Sequence, residues 1–349
     1  MIITRTPVRI SFAGGGTDLP VYYTKYGGLV LSVAINKYIY TILTEREDNF
    51  IQVISSDLQR MVELDRIDLS DEALVSSDLN IPLAVLKHLK CQRGLNIFVA
   101  SEIPPGTGLG SSGSVCVNML KIVSHYLNIP MSRYDLAETA FFIASALLKR
   151  PVGKQDEYAA AFGGLNMITF DISGSTSVHR LPVDPALLDA LEQRLLLFFT
   201  GQSHNSAEIL TQQRVETEKG RQATLKALHG LKELVNEMQR ALLRDQLDLF
   251  GELLDKGWQM KRKISDRISN PRIDRLYALA KKNGALGGKI TGAGGGGFLL
   301  FYSRPEDQAR LRKVMADQGL REMRFKFDYQ GAQLVYDNPF FSAGGRGEM

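Results

Sequence analysis

The chain has 349 residues, of which 44% are hydrophobic and 23% are charged, and its formal net charge is +4 at pH 7. These proportions are typical of a soluble globular protein, and the length favours two domains. Lys and Arg form no block, so the composition does not indicate a nucleic-acid partner, although the mild positive charge suits an anionic small molecule.

The N-terminus and the apolar segments do not indicate a signal peptide or a membrane span. The N-terminus shows no basic region followed by an apolar stretch, and no apolar run approaches the roughly 20 residues that a membrane span needs. Cys91 and Cys116 fit neither a disulfide framework nor a metal motif. We therefore expect a cytoplasmic protein with two buried thiols.

Strand-like and helix-like segments are mixed in the first half of the chain. β-branched and aromatic residues predict strands, and apolar residues spaced three and four apart predict helices. The predicted strands are 8–12, 30–43, 51–55 and 95–100, and the predicted helices are 81–89, 115–127 and 136–148.

The second half begins with a helical region over residues 206–263, which Gly230 and Gly251 are expected to divide into two or three helices. Within it, Trp258 is predicted to pack against the core and the neighbouring charges to form a solvated face. A helix at 273–282, a glycine-rich loop, a strand at 298–302, a helix at 305–315 and a hairpin of 323–329 with 333–336 follow. We predict domains at 1–180 and 181–340 and a frayed tail at 341–349.

Residues 104–114, P-P-G-T-G-L-G-S-S-G-S, are the most informative segment of the chain. Glycine at alternate positions removes Cβ atoms and lets successive backbone N–H groups converge on one point. A helix that starts there adds its free N–H donors and the positive end of its dipole. The segment therefore predicts a cradle for an anion, usually phosphate. The hydroxyls of Ser111 and Ser112 are suited to capping, to phosphate or to magnesium.

Two better-known phosphate loops do not match this segment. Residues 108–113 fit G-x-G-x-x-G, but a dinucleotide fingerprint follows its strand directly and precedes an acid by about 20 residues. Here Pro104 and Pro105 interrupt the strand, and the first downstream acid is Asp135. A Walker loop requires lysine after its second glycine, where this chain has serine. A flexible turn before a helix is the structural alternative.

Two further glycine clusters lie at strand ends. Residues 292–297, G-A-G-G-G-G, precede a strand, and a structural turn needs only one or two glycines, so we expect a ligand or another loop close to that backbone. Residues 11–18, S-F-A-G-G-G-T-D, follow the strand that carries Arg9. The Asp18 carboxylate is suited to accept polyol hydroxyls, and an Asx turn or a helix N-cap is the alternative.

In their order along the chain, these three segments resemble the three signature motifs of the GHMP kinases. This family includes galactokinase, homoserine kinase, mevalonate kinase and phosphomevalonate kinase. The matching residues are 5–18, 105–112 and 289–297. Within the family, F-A-G-G-G-T-D and segments 155–164 and 200–206 are most similar to bacterial D-glycero-D-manno-heptose 7-phosphate kinases.

The resemblance implies an α+β fold, with an N-terminal domain like the second domain of ribosomal protein S5 and a ferredoxin-like C-terminal domain. ATP would lie in the cleft between them. The implied ATP-binding residues are Pro105, Gly106, Gly108, Leu109, Gly110, Ser111, Ser112, Gly113 and Ser114. The implied substrate-binding residues are Gly15, Gly16, Thr17, Asp18, Ser203, His204, Lys289, Thr291, Gly292, Gly294 and Gly295.

The resemblance also implies the catalytic residues. Asp156 lies where the family carries its catalytic aspartate, which accepts or orients the proton of the attacking hydroxyl. Arg9 matches the basic residue beside that aspartate, where a guanidinium would keep the acid ionised and stabilise the transferred phosphoryl group. Ser111 or Ser112 matches the hydroxyl that reaches Mg²⁺.

One departure from the family concerns this metal. A glutamate usually lies eleven or twelve residues before the aspartate, where this chain has Ala144 and Ser145. Three readings stay open. Magnesium is held by ATP, Ser111 and water, or Glu138 or Glu157 substitutes for the glutamate, or the protein is catalytically weak.

The implied reaction transfers the γ-phosphoryl group of ATP to the anomeric hydroxyl of a heptose 7-phosphate, giving the 1,7-bisphosphate for nucleotide-heptose synthesis. Such an acceptor needs a second anion site, for which Lys154, Arg180, Ser203 and His204 are candidates. The alternatives are a kinase for a free sugar such as fucose or galactose, and a nucleotide- and sugar-binding sensor with little turnover.

Overall fold

The computed structural model describes residues 1–65, 67–202 and 206–338. Its strands are β1 (Ile2–Ala13), β2 (Gly28–Glu45), β3 (Ile51–Ser55), β4 (Arg60–Leu64), β5 (Leu95–Ser101), β6 (Leu165–Phe170), β7 (Thr176–Arg180), β8 (Leu195–Phe199), β9 (Ala285–Ile290), β10 (Phe298–Ser303), β11 (Arg321–Glu322) and β12 (Gln333–Asp337). Its helices are α1 (Pro20–Tyr26), α2 (Asp71–Ser76), α3 (Asn80–His88), α4 (Ser111–Tyr126), α5 (Arg133–Phe142), α6 (Gln155–Phe162), α7 (Pro185–Gln193), α8 (Ser206–Glu218), α9 (Gln222–Leu243), α10 (Leu247–Lys261), α11 (Pro271–Lys282) and α12 (Pro305–Asp317). A π-helical turn, Ile143–Leu147, extends α5.

The larger sheet is built around the long strand β2. Strand order is β12-β1-β2-β5-β3-β4, and β6, which also pairs with β7, pairs with the first half of β2. β2 is antiparallel to β1, β5 and β6, whereas β3 and β5 are parallel. Because β1 runs along β2 for nearly its whole length, it delivers Arg9 and the following glycine turn to one end of the sheet.

Helix α4 crosses this sheet and is held there by a buried amide. Asn118 donates to the Ile39 carbonyl at 3.1 Å and to Thr41 Oγ1 at 3.0 Å, and it accepts from Thr6 Oγ1 at 3.1 Å. A fully buried amide with three partners determines the position of a helix along the strands, because sliding would leave polar groups unpaired. The N-terminus of α4 is thereby placed at the same sheet end as Arg9.

The smaller sheet has the order β11-β8-β10-β9, with all pairs antiparallel. Helix α10 packs on β9 and β10, and α9 packs on α10 and on β1 and β2 of the larger sheet. Leu228, Leu231, Leu234, Val235 and Met238 form the buried face of α9, as their spacing predicts. The two sheets share one hydrophobic core, in which the rings of Phe12 and Phe250 meet edge to face at 5.1 Å. Trp258 is 1% exposed, which confirms its predicted packing.

Gly230 and Gly251 do not divide the helical region as expected. Both lie inside helices, α9 and α10, and the breaks fall at residues 219–221 and 244–246. A Cβ at Gly251 would lie 2.5 Å from Cδ1 of the buried Tyr302 ring, so this glycine permits close packing of α10 rather than ending it. The loop predicted before residue 298 also contains β9, whose two glycines conceal its strand pattern.

The predicted C-terminal hairpin is wrong. In the described part of the chain, residues 323–329 form no strand but a single β-bridge from Phe327 to Ile35 of β2, whereas β12 pairs with β1 in the larger sheet. The turn residue Gly331 donates its N–H to Asp328 Oδ1 at 2.8 Å and packs against the backbone at Gly163, which redirects the chain between the sheets. The domain division at residue 180 stays a prediction, and the tail at 341–349 lies outside the described residues.

Both cysteines are buried free thiols. None of the helices in the described part of the chain combines the length and apolarity that crossing a bilayer requires.

Candidate functional site

Two of the glycine-rich loops meet backbone to backbone. A Cβ at Gly108 would lie 2.4 Å from the Thr291 carbonyl oxygen, and one at Gly292 would lie 2.4 Å from Gly108 Cα. Both glycines have positive φ, 80° and 66°. The density of glycine in both motifs therefore follows from their close contact, which forms the floor of a cleft between the sheets.

Helix α4 begins at this floor. Gly110 is its N-cap, in the left-handed conformation with φ 78° and without a side chain that could cap the helix. The first N–H groups of the helix have no acceptor in a preceding turn, because the helix starts here. Ser111 and Ser112 line the cleft, whereas Ser114 Oγ bonds the Pro7 carbonyl at 2.8 Å. The N-terminus of a 16-residue helix therefore presents N–H donors and two hydroxyls to the cleft.

Arg9 and Asp156 form an ion pair beside this helix start. Arg9 Nε donates to Asp156 Oδ1 at 2.8 Å, Nη2 lies 2.7 Å from the same oxygen, and Nη1 donates to the Gly108 carbonyl at 2.7 Å. Asp156 Oδ2 faces Gly110, where an added Cβ would lie 3.3 Å away. The guanidinium thus joins the carboxylate to the glycine loop and leaves one carboxylate oxygen directed at the helix start.

The turn after β1 brings in a second carboxylate. Asp18 is 3% exposed, and it accepts from the Gly16 N–H at 2.8 Å and from the Gln155 N–H at 3.3 Å. Burial, and secondarily the Asp156 charge, raise the pKa of Asp18. Asp18 therefore links the first glycine turn to the start of α6, and it lines the cleft together with Gly15 and Gly16.

Two buried ammonium groups enter from the other half of the molecule. Lys289 on β9 donates to the carbonyls of Ser11 at 2.7 Å and Phe12 at 3.2 Å, and Lys261 at the end of α10 donates to the Gly292 carbonyl. Burial lowers the pKa of Lys261 to about 8. Burial and the neighbouring cations Lys261 and Arg9 lower the pKa of Lys289 well below its usual value. A bound anion would restore both charges.

Several buried polar atoms in the cleft have no hydrogen-bond partner among the described residues. They are Ser11 Oγ, Gln155 Oε1, Glu157 Oε2 and Gln213 Nε2. Unpaired buried polar atoms are rare because each one costs free energy, so four that line one cleft indicate that a polar ligand supplies their partners.

The structure brings together most of the residues predicted from sequence. Arg9, Gly15, Gly16, Asp18, Gly106, Gly108, Gly110, Ser111, Ser112, Gly113, Asp156, Lys289 and Gly292 all line the cleft. Pro105, Leu109, Thr17, Ser114, Thr291, Gly294 and Gly295 are not among the described residues that line it. The hydroxyls of Thr17 and Thr291 bond backbone carbonyls, and the Leu109 side chain is in the core. Ser203 and His204 lie outside the described residues.

Two candidates for a second anion site face elsewhere. Lys154 pairs with Glu138 at 2.7 Å and bonds the Gly174 carbonyl at 2.8 Å. Arg180 bonds the carbonyls of Gly163 and Tyr329. Neither side chain lines the described cleft.

Sequence reasoning missed Lys261. The charges around Trp258 were expected to form a solvated face, yet Lys261 is 8% exposed and lines the cleft. Its helical spacing from Leu254 and Trp258 was the available signal, because residues seven and three positions earlier lie on the same face. Ser11, Arg150 and Gln213 also line the cleft without a motif of their own.

The positions where a metal-binding glutamate was expected lie at the π-helical turn. Ala144 lines the cleft, whereas Ser145 Oγ bonds the Phe141 carbonyl at 2.7 Å. Glu138 is engaged by Lys154, Tyr158 and Thr176. Among the described residues, no group of three His, Cys, Asp or Glu side chains is placed to hold a metal. Any Mg²⁺ here would therefore need phosphate oxygens and water as further ligands, as is usual for that ion.

Comparison with known proteins agrees with this arrangement. Residues 80–164 match the model of the GHMP kinases N terminal domain, and residues 238–319 match the model named GHMP kinases C terminal. The first match includes α4 and Asp156, and the second includes Lys261 and the 292–297 loop.

Full-length relatives extend the match. The chain is 32% identical over 334 residues to D-glycero-alpha-D-manno-heptose 7-phosphate kinase of Campylobacter jejuni, covering 95% of this chain and 98% of the relative. It is 25% identical over 340 residues to L-fucokinase/L-fucose-1-P guanylyltransferase of Bacteroides fragilis, covering 90% of this chain but 36% of that protein. A crystal structure of D-glycero-D-manno-heptose 1-phosphate kinase from Bacteroides thetaiotaomicron superposes with a TM-score of 0.80 at 26% identity, covering 97% of this chain and 100% of that one.

The α+β fold with N- and C-terminal kinase domains expected from the motifs is thus confirmed. With its glycine loops, its helix start and its acid–guanidinium pair assembled in one cleft, the chain belongs to the GHMP kinases, a family of ATP-dependent phosphotransferases.

Proposed function

We infer that the protein transfers the γ-phosphoryl group of ATP to the anomeric hydroxyl of D-glycero-D-manno-heptose 7-phosphate, giving the 1,7-bisphosphate. The Arg9–Asp156 pair at the start of α4 carries the catalytic part of this proposal, because a pure binding protein needs neither group there. The heptose part rests on the names of the two heptose kinases that the chain resembles. Because ATP is the donor, we place the reaction in the cytoplasm.

The floor of the cleft would hold the ATP phosphates. N–H groups at the start of α4 and in the glycine loop are suited to bind phosphate oxygens, and the helix dipole favours negative charge there. Arg9, Lys261 and Lys289 add positive charge on the same cleft. Phosphoryl transfer requires mainly positioning and charge neutralisation, so these groups supply what the transition state needs.

Asp156 would act on the acceptor. Both close Arg9 contacts reach Oδ1, which leaves Oδ2 to accept the proton of the attacking hydroxyl. The adjacent guanidinium also fixes the orientation of the carboxylate toward the acceptor.

The hydroxyls of Ser111 and Ser112 fit a magnesium ion bound to ATP, because both line the cleft beside the expected phosphates. When bound, Mg²⁺ would neutralise phosphate charge during transfer.

The unpaired atoms of Ser11, Gln155 and Gln213, together with Asp18, would bind the sugar hydroxyls. The two named heptose kinases differ in the position of the phosphate that their substrate carries, at carbon 7 or carbon 1. Ser203 and His204 remain our proposed contacts for the acceptor phosphate.

The test is ADP release with Mg²⁺ and a panel of heptose 7-phosphate, heptose 1-phosphate, free heptose, fucose and galactose. We expect turnover mainly with heptose 7-phosphate. In Asp156→Asn, kcat should fall by about 10²–10⁴-fold while ATP still binds. Preference for a free sugar would contradict the heptose phosphate assignment. Turnover in Asp156→Asn at the wild-type rate would remove Asp156 from its role, and binding of both substrates without turnover would favour a sensor.

A further inference from the structure

Glu157 is a buried carboxylate that the mechanism above does not use. It lies in the first turn of α6, immediately after Asp156, and its side chain is 3% exposed. It lines the cleft, and in the part of the chain that the structure describes its Oε2 atom has no hydrogen-bond partner. A buried carboxylate oxygen without a partner is unfavourable unless a ligand donates a hydrogen bond to it or a cation binds it.

The packing of α6 on α4 places this carboxylate beside the expected phosphates. A Cβ at Gly113 would lie 2.9 Å from Asp156 Cβ and 3.2 Å from the Glu157 nitrogen, so glycine at 113 lets the two helix starts touch. Ser112 and Ala144 line the same cleft.

Negative charge is already concentrated around Glu157. Asp156 is its neighbour in the chain, and both Asp156 and Asp18 line the same cleft. Phosphate groups at the start of α4 would add more negative charge nearby. A carboxylate and a polyphosphate are compatible at short range only with a proton or a cation between them. A divalent cation is the better match, because carboxylate, hydroxyl and phosphate oxygens are the ligands that Mg²⁺ prefers.

We propose that Glu157 is the carboxylate ligand of the magnesium ion that accompanies ATP, with Ser111 or Ser112 as the hydroxyl ligand. The carboxylate comes from the first turn of α6, in place of one at 144 or 145. Glu138 is excluded because Lys154, Tyr158 and Thr176 already engage it. This inference rests on the proposed function, since it requires ATP in the cleft.

A competing partner for Glu157 is the guanidinium of Arg150. Arg150 lines the same cleft. Burial lowers the pKa of Arg150, and the charge of Glu157 opposes that shift. Its Nη2 donates to Asn80 Oδ1 at 2.8 Å. If Arg150 neutralises Glu157 when ATP is bound, metal affinity will not depend on Glu157.

The experiment measures the affinity for Mn²⁺, which replaces Mg²⁺, by electron paramagnetic resonance. It uses the full-length protein and a non-hydrolysable ATP analogue. We expect Glu157→Gln to weaken Mn²⁺ binding in the ternary complex by about 10–100-fold. Affinity for the metal-free analogue should stay unchanged or improve, because a repelling charge is removed. Glu138→Gln is the matched control and should keep Mn²⁺ affinity within about twofold.

A double variant, Ala144→Glu with Glu157→Gln, makes the test independent of a simple structural effect. It supplies the carboxylate from the π-helical turn and should recover at least part of the lost Mn²⁺ affinity. Unchanged Mn²⁺ binding in Glu157→Gln, or loss in Glu138→Gln instead, would overturn the inference. Failure of the wild-type protein to bind the ATP analogue at all would count against the proposed function, which separates the two results.

Discussion

At the scale of single residues, the cleft gathers charges that would be unfavourable without a ligand. Carboxylates Asp18 and Glu157 and ammonium groups Lys261 and Lys289 are all nearly buried. Burial raises the pKa of the two carboxyl groups and lowers the pKa of the two lysines, which favours the neutral form of each group. A polyphosphate with its cation would reverse these shifts, so the charges of the cleft suit an ionic ligand.

The lowered pKa of Lys261 predicts the pH dependence of catalysis. Protonated Lys261 attracts the transferred phosphoryl group, and the free enzyme loses this charge above about pH 8. We expect kcat/KM to fall by about tenfold between pH 7 and pH 9, because kcat/KM reports the free enzyme. In Lys261→Arg, whose guanidinium stays charged, this decline should vanish. An identical decline in both proteins would assign it to another group.

The contribution of Lys261 to the free energy of unfolding should increase with pH, whereas kcat/KM decreases. Unfolded Lys261 keeps its proton up to its usual pKa of 10.5, whereas the folded protein releases it near pH 8. Between these values the unfolded state binds more protons, so this group makes the free energy of unfolding rise with pH. Thermal melting of the wild type and Lys261→Arg across the window therefore distinguishes loss of catalytic charge from unfolding.

At the scale of elements, helix pairs depend on glycine where backbones or rings approach closely. Gly230 in α9 and Gly251 in α10 occupy similar interior helix positions, yet their surroundings differ. An added Cβ at Gly230 would meet the flexible end of Met260 at 3.1 Å, whereas at Gly251 it would enter the Tyr302 ring at 2.5 Å.

These two glycines form a matched pair for mutation to alanine. Alanine favours a helix by up to about 1 kcal/mol over glycine, so Gly230→Ala should be neutral or stabilising. Gly251→Ala should lower the free energy of unfolding by about 1–3 kcal/mol, because overpacking outweighs that gain. Urea denaturation of both variants measures the difference. Equal stability of the two would show that α10 can move away from β10 without cost.

At the scale of the whole molecule, the site exists only where the two halves meet. The loop at Gly108 belongs to the larger sheet and Gly292 to the smaller one, and Lys289 crosses from one half to bond carbonyls of β1. β12 also returns from the second half to pair with β1. We therefore expect nucleotide binding to depend on the contact between the Gly108 loop and the Gly292 loop, which joins the two halves at the floor of the cleft.

Gly292→Ala tests this coupling. The new Cβ would lie 2.4 Å from Gly108 Cα at a φ of 66°, so the loops must separate. We expect at least about tenfold weaker binding of an ATP analogue by calorimetry, about 1.4 kcal/mol. Gly319→Ala is the control, because its φ of 78° gives the same backbone strain with nothing within 4 Å of the Cβ. Equal ATP affinity in the two variants would contradict a role for loop contact.

The glycine loops and the helix that begins at Ser111 were predictable from the sequence, because they depend on short motifs with strong local conformational preferences. The pairing of Arg9 with Asp156 was expected only from the resemblance to the GHMP kinases. The sequence also predicted most of the first-half strands and helices from periodicity. The three-dimensional fold was needed to show that β12 pairs with β1, that Gly251 lies within a helix and that Lys261 and Glu157 line the cleft. Each of these depends on contacts between residues far apart in the chain, which local sequence patterns do not specify on their own.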